Sequence, residues 1–113
     1  MVEGKEDYNK LEVLRLQAEL CKSLSDPKRL YIIQLLRMGE RSVSELTHML
    51  GLKQSNTSQH LAILRNMGVI SPRKDGTTVY YRLVNPKISE ACDLVREVIA
   101  DQLQNNQRLS RQM

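Results

Sequence analysis

Six short polar side chains stand almost in a row: Gln54, Ser55, Asn56, Ser58, Gln59 and His60. They fall between Gly51 and Gly68, a stretch that contains no acid. Thr57, Leu61 and Leu64 recur there at helical spacing, which predicts a helix with one apolar stripe and one polar face. A solvated helix face normally mixes Glu with Lys, which favours the helix. Amides and hydroxyls are poorer helix formers, but they are good partners for base edges and phosphates. The predicted chemistry is therefore DNA reading, with these six residues supplying base and nearby phosphate contacts. Lys53 stands where the helix begins. A cap hydroxyl or carboxylate is preferred there, and a cation opposes the macrodipole at a cost of about 1 kcal/mol. Close phosphates reverse that sign; the plainer reading is a lysine extended into water.

Charge is distributed to match. The net charge is +4 over 113 residues. Between Arg41 and Arg82 there are six basic residues and two acids, while the remainder of the chain is neutral. All the excess lies around the polar helix. Lysines and arginines that meet phosphates release condensed counterions, which gives sequence-independent affinity for DNA. The competing reading of such a segment is a solvated basic face. Arg73, Lys74 and Thr77 sit near Asp75-Gly76, a hairpin signal, and with Lys53 they are the candidates for holding the DNA backbone.

The remaining chemistry-bearing residues are sparse. Cys21 and Cys92 lie 71 positions apart, which is neither a disulfide framework nor a Cys-x-x-Cys zinc pattern. Each falls on the apolar stripe of a helix, so each reads either as a small buried hydrophobe or as half of a redox pair. A soft metal held by both thiolates and a third group is a further reading. His48 reads as a surface or packing histidine, and His60 as a packing or phosphate contact before a metal ligand. No nucleophile–base set, Gly-rich phosphate loop or metal constellation stands in the chain, which argues against an enzyme. No resident cofactor or metal is expected.

The elements that must position these residues follow from periodicity and punctuation. A helix fits Tyr8 to Leu24, on Leu11, Leu14, Ala18, Cys21 and Leu24. Ser25-Asp26-Pro27 restarts a second helix, with a cap followed by proline in the first turn. That helix runs to about Met38, with Leu30, Ile33, Leu36 and Arg37 marking its buried side. Ser42-Val43-Ser44-Glu45 is a capping box opening a third helix to Leu50. Gly51 turns the chain into the polar helix, completing a helix-turn-helix. The period then changes to two: Val69–Lys74 and Thr77–Val84 are strands about the Asp75-Gly76 turn. A last helix spans Pro86 to Leu103 on Ile88, Cys92, Val95, Ile99 and Leu103. Residues 1–7 read as a flexible N-terminus, 8–104 as one DNA-binding and dimerisation domain, and 105–113 as a flexible tail. No run is apolar enough to cross a membrane, and the first residues lack a signal-peptide layout, so the chain reads as cytoplasmic.

This order, mainly α with a small β-hairpin (α-α-α-α-β-β-α), resembles the ArsR/SmtB family of winged-helix repressors. The residues that carry the resemblance are Leu24-Ser25-Asp26-Pro27-Lys28-Arg29-Leu30, Ser42-Val43-Ser44-Glu45-Leu46, Ser58-Gln59-His60-Leu61 with Leu64-Arg65, Gly68-Val69-Ile70, and Val79-Tyr80-Tyr81-Arg82-Leu83. The resemblance implies a homodimer built from first and last helices, bound to double-stranded operator DNA of imperfectly palindromic sequence and released by an inducer. The Cys-x-Cys pair that arsenite- and cadmium-sensing relatives carry on the third helix is replaced here by Thr47 and Met49, and the last helix has no His. Some relatives sense oxidants or reactive sulfur with a cysteine pair whose first member lies in the second helix. Here the two cysteines are Cys21, at the end of the first helix, and Cys92. The alternatives to a thiol-switched repressor are a soft-metal-responsive repressor using the same cysteines, and a dimeric interaction module that does not bind DNA.

Overall fold

The computed structural model describes residues 9–112; the expected N-terminal segment 1–7 lies outside them. The elements are α1 (Lys10–Ser23), α2 (Pro27–Arg37), β1 (Arg41–Ser42), α3 (Val43–Leu50), α4 (Gln54–Asn66), β2 (Ile70–Asp75), β3 (Thr78–Leu83) and α5 (Lys87–Gln112). Local side-chain chemistry sets most boundaries. The Asn9 side chain accepts from Leu11 N–H at 2.8 Å and starts α1, so the helix opens after the expected Tyr8. Asp26 accepts from the N–H groups of Lys28 and Arg29 at 2.8 and 3.2 Å, and Pro27 sits at the start of α2. Both arms of the α3 capping box form: Glu45 N–H donates to Ser42 Oγ at 3.0 Å, and Ser42 N–H to Glu45 Oε1 at 2.9 Å. Gly51 closes α3 at φ 65°, a left-handed position that suits glycine.

The three strands form one antiparallel sheet in the order β1-β3-β2. β1 is an addition to the expected hairpin. Its two residues pair with Tyr81 and Tyr80, a long-range contact with too short a run to show alternation. Asp75 pairs with Thr78, so the tight turn is Gly76-Thr77 rather than Asp75-Gly76, with Gly76 at φ 63°.

The core is a single cluster. Ile32, Ile33 and Leu36 of α2 meet Leu46 and Leu50 of α3, Leu61 and Leu64 of α4, and Val69, Ile70 and Tyr81. Two residues expected on the buried side of α2 are not there. Leu30 is 42% exposed, and Arg37 reaches out to the Asp93 carboxylate of α5. The run Leu30-Tyr31-Ile32-Ile33 is apolar all round, so periodicity did not fix which face turns inward. The outer helices are only half used. Leu20, Leu24, Ile88 and Cys92 pack on the core, while Leu11, Leu14, Leu94, Val95, Val98 and Leu103 stay exposed. α5 also continues past its apolar stripe to Gln112, so residues 105–112 of the expected tail are helical. No glycine or proline stands there to stop it.

Removing the cap tests this scheme. Ser42→Ala is expected to lower unfolding stability by about 1 kcal/mol in urea titration; an unchanged midpoint would show that the capping box contributes nothing. The Glu45 carboxyl is held below its usual range, chiefly by the Ser42 backbone N–H. A lowered folded pKa means its contribution is present above the ordinary glutamate range and is lost as pH falls through the lowered value.

Candidate nucleic-acid interface

Helix α4 is fastened by three side chains. Thr57, Leu61 and Leu64 are buried, and Thr57 Oγ also donates to Lys53 C=O at 3.3 Å. Gln54, Ser55, Asn56, Ser58 and Gln59 are all exposed and form the polar side of the first turns of the helix. Lys53 holds the cap position in an extended conformation with no side-chain cap bond. The helix therefore begins with a cation and, among the described residues, with first N–H groups that its cap side chain does not accept from, an arrangement that favours an anion close by.

His60 does not join that surface. Its side chain is 19% exposed and turns back to α2. Arg29 Nη1 lies 3.2 Å from His60 Nδ1, and Asp26 Oδ1 lies 4.0 Å from the same atom. A guanidinium only donates, so Nδ1 is the acceptor and the neutral ring carries its proton on Nε2. The same guanidinium donates through Nε to Ser23 C=O at 2.6 Å. His60 thus ties α4 to α2 and to the end of α1.

The β2–β3 hairpin lies beside α4. Antiparallel partners share a face of the sheet, and faces alternate along each strand. Lys74 pairs with Val79, on the face of Tyr81 that turns inward; Arg73 pairs with Tyr80, on the opposite face. Lys74 and Thr77 are exposed near the tip. Arg73 is engaged instead within the protein, with Nε and Nη2 bonded to the two Glu40 oxygens at 2.9 and 2.7 Å. That bond holds the Glu40 carboxyl below its usual range. Between α4 and the hairpin runs a groove of about 460 Å³ lined by Ser44, Gln54, Ser58, Arg65, Thr77 and Thr78 among others. Ser44 and Arg65 are additions to the sequence-based set, while Thr78 is already legible beside Thr77 at the hairpin tip. Gln54, Ser58, Leu61 and Arg65 follow one another at helical steps of four, three and four, the signal that could have found Arg65. Its Nη1 donates to Tyr81 Oη at 3.0 Å, so the cation is anchored at the groove wall.

The sequence pattern described as "Bacterial regulatory protein, arsR family" matches residues 26–71. An uncharacterised HTH-type transcriptional regulator of Mycobacterium tuberculosis, Rv0081, is 41% identical over 87 residues, covering 76% of each chain. Its crystal structure superposes with a TM-score of 0.76 at 38% identity, covering 88% of this chain and 98% of that one. The homodimeric winged helix-turn-helix DNA-binding domain of Mb0332 from Mycobacterium bovis, a possible ArsR-family regulator, superposes with a TM-score of 0.76 at 30% identity, covering 85% and 89%. A biofilm growth-associated repressor of Xylella fastidiosa is 34% identical over 85 residues, covering 75% of each chain.

The chain belongs to the ArsR family. It is a transcriptional regulator with a DNA-binding winged helix-turn-helix. In this ArsR-family chain the hairpin is the wing and α4 the second helix of the helix-turn-helix. Among the described residues no helix is long and apolar enough to cross a membrane.

This ArsR-family member carries a second groove, of about 550 Å³, between α1, α2 and α5. It shares no lining residue with the α4–wing groove. Cys21, from the last turn of α1, and Cys92, from α5, both line it, and both are free thiols. Cys21 is exposed and Cys92 partly buried. Burial pushes the Cys92 thiol up, so this sulfur stays protonated at neutral pH.

Lys74 offers the direct test of the wing. Lys74→Ala is expected to reduce the slope of log K against log salt by about one per wing; an unaltered slope would take the wing off the DNA.

Proposed function

We propose that this chain is a homodimeric repressor whose α4 reads an imperfectly palindromic operator and whose release is triggered at Cys21 and Cys92. The observation that carries the DNA half is the acid-free polar face of α4, set beside a wing on an ArsR-family fold. In this reading Gln54, Ser55, Asn56, Ser58 and Gln59 enter the major groove, and Lys53, Lys74 and Thr77 hold phosphates. Two-fold symmetry then spaces the half-sites about 34–36 Å apart. The dimer reading is supported by the exposed apolar side chains of α1 and α5, with Leu11 74%, Leu94 64% and Val95 61% exposed, since surface helices otherwise turn such stripes inward. Repression is supported by the similarity to the X. fastidiosa repressor.

The thiol half is supported by the shared groove. Cys21 is the accessible sulfur and is the one first oxidised. A hydroperoxide converts its thiolate to a sulfenic acid, releasing the alcohol. Cys92 sulfur then displaces hydroxide from that sulfenic acid; its own proton leaves with the hydroxide as water, and a disulfide joins α1 to α5. Two thiols are oxidised and one peroxide bond is reduced. With a polysulfide as the oxidant, the Cys21 thiolate displaces hydrosulfide from one end of the sulfur chain and Cys92 displaces hydrosulfide from the other, leaving one or more sulfur atoms in the bridge.

Fluorescence anisotropy on DNA from its own promoter tests both halves. Gln59→Ala should weaken operator binding by about 1–3 kcal/mol and leave binding to unrelated DNA little changed; equal losses would remove Gln59 from the base-reading set. Peroxide or polysulfide should release the wild-type protein but not Cys21→Ser. Release by soft metals alone would replace the thiol switch with a metal-responsive repressor, and no operator binding under any condition would leave an interaction module.

A further inference from the structure

Arg73 is held by contacts that cross the sheet. Its side chain crosses Tyr80 of β3, with the guanidinium carbon 4.8 Å from the ring centroid. Beyond that ring it meets both oxygens of Glu40. Glu40 immediately precedes β1, on the far side of the sheet from β2. Gly39, at φ 140°, makes the turn that brings Glu40 there. One side chain therefore spans from the outermost strand, over the central strand, to the turn that leaves α2. Only two residues of β1 pair with the hairpin, so few backbone bonds hold the wing at that edge. A two-pronged guanidinium–carboxylate contact is directional, unlike most surface ion pairs, and so suits a fixing role.

We propose that Glu40 and Arg73 form a strap that sets the angle of the wing against the helical body, making both positioning residues for the DNA contacts of Lys74 and Thr77. Arg73 is then not itself a phosphate contact. This rests on wing-assisted DNA binding for one readout, and on the free protein alone for the other.

The first readout is hydrogen exchange in the DNA-free full chain. Glu40→Gln and Arg73→Gln should each speed amide exchange across the β2–β3 hairpin and leave α3 unchanged. Unchanged exchange in the hairpin overturns the strap whatever the DNA does. The second readout is operator affinity. Each single variant should weaken binding by roughly three- to tenfold, and the double variant by no more than Arg73→Gln alone, because both remove the Glu40–Arg73 contact and only Arg73→Gln also removes those to Tyr80 and Asp75. The charge swap Glu40→Arg with Arg73→Glu keeps the net charge and should recover most of the loss. Tighter binding by Glu40→Gln together with weaker binding by Arg73→Gln would overturn the proposal, marking Arg73 as a phosphate contact that Glu40 holds back. Variants that show the exchange effect, in a protein whose wild type binds no operator, would sink the repressor reading and leave the strap standing.

Discussion

Everything at the DNA-facing side depends on how α4 is fastened. A helix that exposes amides and hydroxyls gains little from its own propensity, so its stability must come from packing. Thr57, Leu61 and Leu64 provide that packing against Leu46, Leu50 and the α2 residues Ile32, Ile33 and Leu36. The stripe is narrow, which leaves most of the first two turns for polar side chains. The cost is that few contacts set the helix orientation. The His60–Arg29 contact and the α4–β2 junction at Val69 and Ile70 complete the fixing.

Much of this was legible in the chain because it is local. Asp26-Pro27, Ser42 with Glu45, and Gly51 each fix a boundary through atoms a few residues away. The acid-free face of α4 was legible for the same reason, since spacing along one helix decides which side chains stand together. What the sequence hid was long-range. β1 exists only because Tyr80 and Tyr81 are beside it. Arg73 looked like a free wing cation until Glu40, 33 positions earlier, was seen to occupy it. His60 looked like a member of the polar face, but the helical phase puts it at the edge, where Arg29 and Asp26 claim its ring. The buried side of α2 was ambiguous because Leu30, Tyr31, Ile32 and Ile33 offer apolar atoms in every direction.

The two grooves divide the molecule. The α4–wing groove mixes hydroxyls, an amide and an anchored arginine with Val43, Leu61, Val79 and Tyr81; the groove holding Cys21 and Cys92 is lined mainly by carbon. Arg29 stands between them, bonded to Ser23 of the Cys21-bearing helix and to His60 of α4. The connection is a hydrogen-bonded one, and a planar guanidinium keeps both partners only while their spacing is preserved.

The uncapped start of α4 also has an entropic meaning. With no side chain accepting from its first N–H groups, the opening turn is anchored by the Thr57 and Lys53 bonds and otherwise by water. Such a turn opens locally far more readily than the core of the helix. Gln54, Ser55 and Asn56, which the proposed function assigns to base reading, are therefore carried on the turn of α4 that no cap side chain holds. Ordering them is a fixed cost on every DNA sequence, and only a sequence that satisfies all three recovers it. In the proposed reading, looseness at this one turn lowers affinity for all sequences alike and leaves discrimination to the contacts themselves.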